Sequence, residues 1–314
     1  MTFADNLKTK KELRFKNGKF KIVIFSDLHG KITFDRRTVK CVERFVEKHN
    51  PDMVLLCGDN VCGDWHLQSE QLFKNSFNDI ANIFESRRIP WAHVYGNHDN
   101  EVGLWEVDQQ PIYESYEHCV SKRGPENLHR VSNYMLPIKA SEGDEIKFNI
   151  WALDALQPGQ VIWYHDTSVE LEKYCGKKIP SIMYLHVPTP EFRTISMNAK
   201  AMGMVGENRE NVCDTGFNYG LVAFAANRGD VKGIYCGHDH VNTFSAYYRG
   251  IHLGYCGGLS FNVYMHPDLR CCRVIEIDEN DPAAYNTFLD MVLEDEVLKE
   301  IPGMDDYNLE VSIT

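Results

Sequence analysis

The chain has 314 residues, of which 43% are hydrophobic and 11% aromatic, and this composition is that of a folded protein with a sizeable core. Its formal net charge of −12 argues against nucleic acid or an anionic membrane as the main partner, because both are bound through a basic surface. No run reaches the length of a membrane span, the first residues lack an apolar signal segment, and the ten cysteines show no C-x-x-C spacing, so we expect a reduced, cytoplasmic protein.

Strand and helix signals alternate through the first half of the chain. Short apolar runs rich in β-branched residues predict strands, and apolar residues at helical spacing predict helices. The predicted strands are 20–25, 52–57 and 91–95, and the predicted helices are 36–49, 67–88 and 111–122. Pro51 supports the end of the first helix, since proline cannot continue it.

The second half carries more short strands. We predict strands at 133–139, 145–153, 181–185, 231–236, 243–248, 251–255 and 270–277, and helices at 167–174, 217–227 and 283–299. This order suggests two packed sheets with helices outside them. We expect one domain over 1–314, with a core over 19–277 and an acidic C-terminal helix and tail over 283–314.

Five short motifs carry side chains that bind metals, and most of them directly follow a predicted strand. They are Asp27-Leu28-His29, Gly58-Asp59-Asn60, Gly96-Asn97-His98-Asp99, His186 and Gly237-His238-Asp239-His240. Open α/β sheets place their sites at the carboxyl ends of strands. A mixture of carboxylate, amide and imidazole donors suits Mn, Fe, Zn or Co better than Ca or Mg. The donors are numerous enough for two metal ions.

Each motif alone has an ordinary explanation. An isolated Asp-x-His is usually a solvated loop, a Gly-Asp is usually a turn, and a single histidine after a strand is more often structural than a ligand. These explanations fail jointly, because five donor clusters after strand-like runs, in one order, are hard to produce by chance.

The set of motifs resembles the calcineurin-like metallophosphoesterase superfamily, whose motifs read D-x-H, G-D, G-N-H-[DE], H and G-H-x-H. A nearer resemblance, to the purple-acid-phosphatase-related phosphatases of fungi and plants, rests on residues 96–99, 124–126, 133–137, 229–232 and 237–242. The purple enzymes place a tyrosine three residues after the second aspartate to bind ferric iron. This chain has Cys62 there, so the resemblance does not extend to a purple iron(III) centre.

The resemblance implies a four-layer α/β/β/α sandwich of two mixed sheets flanked by helices, carrying a dinuclear phosphatase site. The first ion would be held by Asp27, His29, Asp59 and His240, and the second by Asp59, Asn97, His186 and His238. A hydroxide bridging the ions would attack phosphorus, His98 would protonate the leaving group, and Asp99 would orient His98. By formal charge, the loaded centre would carry about +1, which would attract a phosphate to an acidic chain.

The substrate stays open at this point. A phosphorylated small molecule and a phosphoprotein both fit a phosphomonoesterase, and a phosphodiesterase or nucleotidase of the same superfamily is the alternative activity. A non-catalytic binding module with this fold is a third hypothesis. The sequence does not choose among Mn, Fe and Zn, and it leaves the oligomeric state open.

Other residues give weaker signals. Asn60, Trp65 and His66 either line the pocket or form an ordinary loop. Two further histidines, His93 and His129, are interpreted as structural. We interpret residues 195–209 as a surface loop in preference to a mobile lip, and we expect Tyr264 and the turn at 257–258 near the substrate.

Overall fold

The computed structural model describes residues 2–63, 66–154 and 156–301, and within these ranges the strands form two sheets. The helices are α1 Phe3–Leu7, α2 Arg36–His49, α3 Glu70–Glu85, α4 Glu106–Ser115, α5 Pro158–Cys175, α6 Pro190–Met197, α7 Leu221–Arg228 and α8 Glu294–Leu298. The strands are β1 Leu13–Arg14, β2 Lys19–Phe25, β3 Met53–Cys57, β4 Trp91–Val94, β5 Tyr134–Lys139, β6 Ile146–Ala152, β7 Ser181–Tyr184, β8 Val231–Cys236, β9 Ser245–Tyr248, β10 Ile251–Tyr255, β11 Cys271–Asp278 and β12 Asn286–Met291.

Both sheets are mixed. In the described ranges the larger sheet has seven strands in the order β1-β5-β6-β7-β8-β10-β9, and the smaller has five in the order β12-β11-β2-β3-β4. Neighbouring strands β2, β3 and β4 run parallel, as do β6, β7, β8 and β10, whereas β11 is antiparallel to β2. The parallel strands end at one edge of each sheet, and this is where the candidate site lies.

The alternation of β2 shows how the layers stack. Ile22 and Ile24 belong to the core between the two sheets, while Val23 and Phe25 belong to the core between the smaller sheet and its helices. All four are apolar, as a strand buried on both faces requires. Helices α2, α3 and α4 cover the smaller sheet, and α5, α6 and α7 cover the larger one. The predicted four-layer α/β/β/α sandwich is confirmed.

The predicted helix at 111–122 is wrong in its bounds. Helix α4 begins at Glu106 and ends at Ser115, and Pro111 lies inside it. The following segment is extended, because Val120 N donates to Trp91 O and Cys119 pairs with Trp91 in a parallel bridge. Pairing with β4 therefore takes these residues away from the helix.

The predicted helix at 283–299 is also wrong. Residues Asn286–Met291 form β12, which pairs antiparallel with β11, and only Glu294–Leu298 is helical. Antiparallel pairing with the preceding strand outweighs the local helical pattern here. The predicted tail over 302–314 lies outside the described residues. Helices α1 and α6 were not predicted, and α5 is longer than the helix predicted at 167–174.

Among the helices that the structure describes, none is both long enough and apolar enough to cross a membrane. The ten cysteines all fall within the described ranges, and each is a free thiol.

Candidate metal centre

The predicted donors lie together where strands of both sheets end. The smaller sheet supplies Asp27 and His29 after β2, Asp59 after β3, and Asn97 and His98 after β4; the larger sheet supplies His186 after β7, and His238 and His240 after β8. Backbone bonds join the motifs, since His29 N donates to Asp59 O (2.9 Å) and Gly237 N donates to His186 O (3.0 Å).

Three motif glycines are needed because the donors pack against their Cα atoms. A Cβ added at Gly58 would collide with the ring of His186, and one at Gly96 would collide with the carboxylate of Asp59. A Cβ at Gly237 would collide with the hydroxyl of Ser26. Replacing any of these glycines would therefore displace a donor or its support.

Four of the donors have an unusual backbone conformation. The φ angles of Asp27, His29, Asp59 and His238 are 54°, 47°, 49° and 75°. Residues with a Cβ rarely adopt this left-handed region, although Asp and His tolerate it better than most. Such strain collects at functional sites, where the surrounding structure holds it in place.

The first predicted ligand set forms one compact group. One donor atom from each of Asp27, His29, Asp59 and His240 lies within 4.8 Å of the others, and all four residues are buried. The His29 and His240 Nε2 atoms are 3.1 Å apart, and His240 Nε2 lies 3.4 Å from Asp27 Oδ1. Neighbouring nitrogen ligands of one zinc ion lie about 3.0–3.4 Å apart, given a metal–nitrogen distance of about 2.1 Å. The spacing therefore suits one ion shared by four donors.

A second group shares Asp59 with the first. Donor atoms of Asp59, His186 and His238 also lie within 4.8 Å of one another, and His186 Nε2 is 3.1 Å from Asp59 Oδ2. Asp59 can serve both groups because a carboxylate has two oxygens. Asn97 is exposed and lines, with His186, a cavity of about 320 Å³ beside this group. Its role as a ligand stays a prediction.

Two of the histidines, His186 and His240, hold their Nε2 atoms toward the centre because each Nδ1 is hydrogen-bonded to a backbone carbonyl. His186 Nδ1 lies 2.9 Å from Cys57 O, and His240 Nδ1 lies 2.9 Å from Tyr264 O. A carbonyl oxygen only accepts, so each Nδ1 carries a proton and leaves the Nε2 lone pair free in the neutral ring, as metal-binding histidines require. His186 Nε2 and Asp59 Oδ2 are both buried and lie 3.1 Å apart, and within the described part of the chain neither atom hydrogen-bonds to any other group. A cation between them would satisfy both.

Electrostatics of the metal-free centre also favour a cation. Burial alone would raise the pKa of Asp59, but His186 beside it lowers that pKa to about 2. Burial alone would lower the pKa of His186, but Asp59 and Asp27 raise it to about 10. Two buried carboxylates thus attract positive charge, which protons supply when no metal is bound.

His98 lies at the exposed side of the centre. Its side chain is 40% exposed, its ring centroid is 5.5 Å from that of His29, and its Nδ1 lies 2.8 Å from Glu101 Oε1. A 3-10 turn over Asp99–Val102 brings Glu101 back to His98. The sequence signal for this pair is the i, i+3 spacing of an acid and a histidine.

The predicted role of Asp99 in orienting His98 stays a prediction, and in this structure the Asp99 carboxylate has other partners. The Asp99 carboxylate accepts from the backbone of Gly96 (2.6 Å) and Val61 (3.0 Å), so its two oxygens hold the loops that carry the donors. Burial and nearby Asp59 raise the pKa of Asp99 to about 7. The carboxylate beside His98 is that of Glu101.

The weaker predictions have mixed outcomes. Asn60 is buried and donates to Val94 O (3.0 Å), so it supports the loop and does not line the cavity; Trp65 lies outside the described residues. The prediction that His129 is structural does not fit, since it is exposed and lines the cavity, whereas His93 is fully buried.

Tyr264 packs against His240, one of the predicted ligands. Its ring stacks on His240 with centroids 4.4 Å apart, and its hydroxyl donates to Glu210 (2.8 Å). The segment over 195–209 is tied down by Val205, which exchanges backbone hydrogen bonds with Ser245 (2.8 and 3.0 Å). Residues 195–197 belong to helix α6 and Ile195 is buried, so the interpretation of a surface loop fits only the residues after the helix.

Cys62 stands where the purple enzymes have their tyrosine. Burial raises the pKa of its thiol to about 12, and its Sγ lies 3.6 Å from the carbonyl oxygen of His29. A neutral thiol facing the backbone does not replace a tyrosinate ligand. The chain also places Arg130 on the cavity wall, and the sequence carries no local signal for it.

Comparison with known proteins gives a consistent picture. A solved dimetal phosphatase from Danio rerio is 10% identical and has a TM-score of 0.52, with 86% of this chain and 98% of that chain covered, which shows the fold alone. The chain is 29% identical to probable inactive purple acid phosphatase 14 of Arabidopsis thaliana, over 85% of this chain and 77% of that protein. It is 26% identical to phosphatase DCR2 of Saccharomyces cerevisiae, over 72% of this chain and 45% of that protein.

The family model described as calcineurin-like phosphoesterase matches residues 20–242, which include each of the predicted donors and His98. Both resemblances predicted from the motifs are confirmed by these matches. The chain belongs to the calcineurin-like phosphoesterase family.

Proposed function

We propose that this protein is a dinuclear metal-dependent hydrolase of phosphate monoesters. One observation carries the proposal, namely two groups of donor atoms that share Asp59 and are spaced as ligands of single ions. The donor chemistry suits Mn, Fe or Zn.

The residues divide between two ion positions. Asp27, His29, Asp59 and His240 would hold one ion, and Asp59, Asn97, His186 and His238 would hold the other. Bound there, such ions would activate a water molecule as the nucleophile near neutral pH and stabilise charge on the phosphoryl oxygens.

His98 is the candidate general acid. Its Nδ1 faces the Glu101 carboxylate at 2.8 Å, so the proton at Nδ1 is held and the ring is oriented. The opposite nitrogen, Nε2, would donate its proton to the leaving oxygen of the substrate.

The cavity beside the second group suits a small substrate group. Its volume of about 320 Å³ is at the low end of the range for small-molecule sites, about 300–1,000 Å³. A phosphorylated small molecule and a phosphorylated side chain of a protein are both compatible with that size.

The relative from Arabidopsis thaliana is named a probable inactive phosphatase, so the names of relatives do not establish that this chain is active. The proposal depends on this chain's own residues. The chain retains seven predicted donors and His98. A non-catalytic binding module would have no need of such a set.

The test uses protein stripped with a chelator and reloaded with Mn²⁺. We expect hydrolysis of p-nitrophenyl phosphate to depend on the metal and to exceed that of the bis ester. We expect His98→Ala to reduce turnover strongly while metal content stays intact. Faster hydrolysis of the bis ester would indicate a phosphodiesterase, and failure to take up Mn²⁺, Zn²⁺ or Fe²⁺ would refute the metal centre.

A further inference from the structure

Beside the second donor group lies an ion cluster formed by Arg130, Glu106 and Asp154. Arg130 Nη1 is 2.6 Å from Glu106 Oε1, and Arg130 Nε is 3.4 Å from Asp154 Oδ1. The three side chains are 20%, 8% and 0% exposed. Charges this far from solvent are weakly screened, so the cluster holds its geometry better than a surface pair.

The cluster holds the loop after β4 at two points. Arg130 Nη2 donates to Gly96 O (2.9 Å), and Glu106 Oε1 accepts from Asn100 Nδ2 (2.8 Å). The Glu106 backbone N–H donates in turn to Asn100 Oδ1 (3.1 Å). The candidate ligand Asn97 lies between these two anchors.

Asp154 connects the same cluster to the larger sheet. It follows β6, and its Oδ2 accepts from the backbone of Val131 (2.9 Å) and Ser132 (3.1 Å). The β4 loop belongs to the smaller sheet. Arg130 therefore joins the two sheets at the point where both supply donors to the second ion position.

Asn97 is the most exposed of the seven predicted donors, and across the described ranges its side chain takes part in no hydrogen bond. His186, by contrast, is buried and fixed through its Nδ1. The position of Asn97 thus depends on how its backbone is held.

We propose that Arg130 is a positioning residue for the second metal ion, acting through Gly96 and Asn100 to hold Asn97 in place. The inference rests on the proposed function, because it presupposes two ion positions. Arg130 need not touch the substrate or the metal for this role.

The experiment measures Mn²⁺ binding to metal-free protein by calorimetry, with electron paramagnetic resonance to distinguish a coupled pair from an isolated ion. We expect wild type to bind two ions. Arg130→Met should keep one ion with unchanged affinity and weaken the other by about 10- to 100-fold, as loss of a residue that orients a ligand does. The coupled-pair signal should then give way to that of an isolated ion.

Arg228→Met is the matched control. Arg228 is also a largely buried arginine, with 10% side-chain exposure and a 2.6 Å pair to Glu172, but it lies on α7 in the outer helix layer. The Arg228→Met variant should bind both ions with the affinities of wild type. Equal weakening in both variants would mean a general loss of stability and would overturn the proposal.

The double variant Arg130→Met with Glu106→Gln addresses folding. Removing Arg130 alone leaves two neighbouring carboxylates without their cation, and the second change removes one of those charges while the bond to Gly96 stays absent. We expect the double variant to unfold at a temperature nearer to wild type and still to bind the second ion weakly.

Three outcomes would refute the proposed role of Arg130 or the function on which it rests. If the double variant recovers both affinities, Arg130 compensates charge and does not position the loop. If Arg130→Met binds both ions normally but raises KM, Arg130 contacts substrate. If wild type itself binds fewer than two ions, the proposed two-metal function fails, independently of Arg130.

Discussion

Two buried histidines, His93 and His186, have opposite electrostatic surroundings although their exposures are 0% and 1%. His93 lies on β4, where its Nδ1 is 2.8 Å from the Ser121 hydroxyl and its ring stacks on Tyr113. Burial among these neutral groups lowers the pKa of His93 to about 3. His186 has a pKa raised to about 10, because Asp59 and Asp27 more than offset its burial.

The comparison separates a core histidine from a candidate ligand. Burial is the same in both, so burial is not the criterion. The difference is the charge around the ring, since His186 faces buried carboxylates that need a cation and His93 faces hydroxyl and aromatic groups.

The largest effect is expected from Asp59→Asn. This change removes the carboxylate closest to His186 and the donor shared by both ion positions. Turnover should fall on the order of a thousandfold, which corresponds to the several kcal/mol that metal ions supply to catalysis. Metal content, measured by elemental analysis, should fall in parallel.

Asp166→Asn is the control for that variant. Asp166 also lies beside a histidine, 3.0 Å from His165 Nδ1, but both side chains are exposed. It should leave metal content and turnover unchanged. Retention of two ions by Asp59→Asn would show that the carboxylate is not the shared donor.

The next effect concerns competition between protons and metal. Metal-free His186 is protonated near neutral pH, and it must lose that proton to bind a cation. Mn²⁺ affinity should therefore rise with pH, by about tenfold per unit between about pH 6 and pH 9. Calorimetry in buffers of different ionisation enthalpy would count the protons released. An affinity independent of pH would contradict the electrostatic account of His186.

The sequence predicted the elements whose signals are local. Helix α2 begins and ends at the predicted residues, because its apolar spacing and Pro51 act within a few positions. Helix α4 and strand β12 were mispredicted because pairing with β4 and β11 sets these segments, and helical spacing of apolar residues carries no signal for strand pairing.

The candidate site divides in the same way. The donor residues were visible as residue types at strand ends, and the structure brings six of them into two groups. The hydrogen-bond and ion-pair partners of these side chains could not be predicted from the sequence in the same way. Glu101 replaces Asp99 beside His98 because of a single 3-10 turn, and Arg130 meets Gly96 across 34 residues. Contacts at that separation are set by the tertiary fold.

His93→Phe tests the core side of the comparison. The unfolded chain gains a proton on His93 below its ordinary pKa of 6.5, whereas the folded chain does so only near 3. The stability due to neutral His93 is therefore complete above pH 6.5 and is lost as the pH falls toward 3, by at most about 1.4 kcal/mol per unit. Urea unfolding from pH 7.5 to 4.5 should show a shallower loss in the variant. Equal slopes would mean that His93 is not held neutral.

The smallest effect is expected at the third kind of histidine, the exposed His98. Its pair with Glu101 is 40% and 48% exposed, and such a pair contributes less than about 1 kcal/mol. Glu101→Gln should therefore lower turnover by less than about fivefold, and more for phenyl phosphate than for dinitrophenyl phosphate, because only the poorer leaving group needs protonation.

Asp99→Asn tests whether Asp99 or Glu101 orients His98. Its oxygens hold Gly96 and Val61, so the change should weaken metal binding and affect both substrates equally. If instead Asp99→Asn gave the dependence on leaving group and Glu101→Gln did not, the acid would be oriented by Asp99 after all.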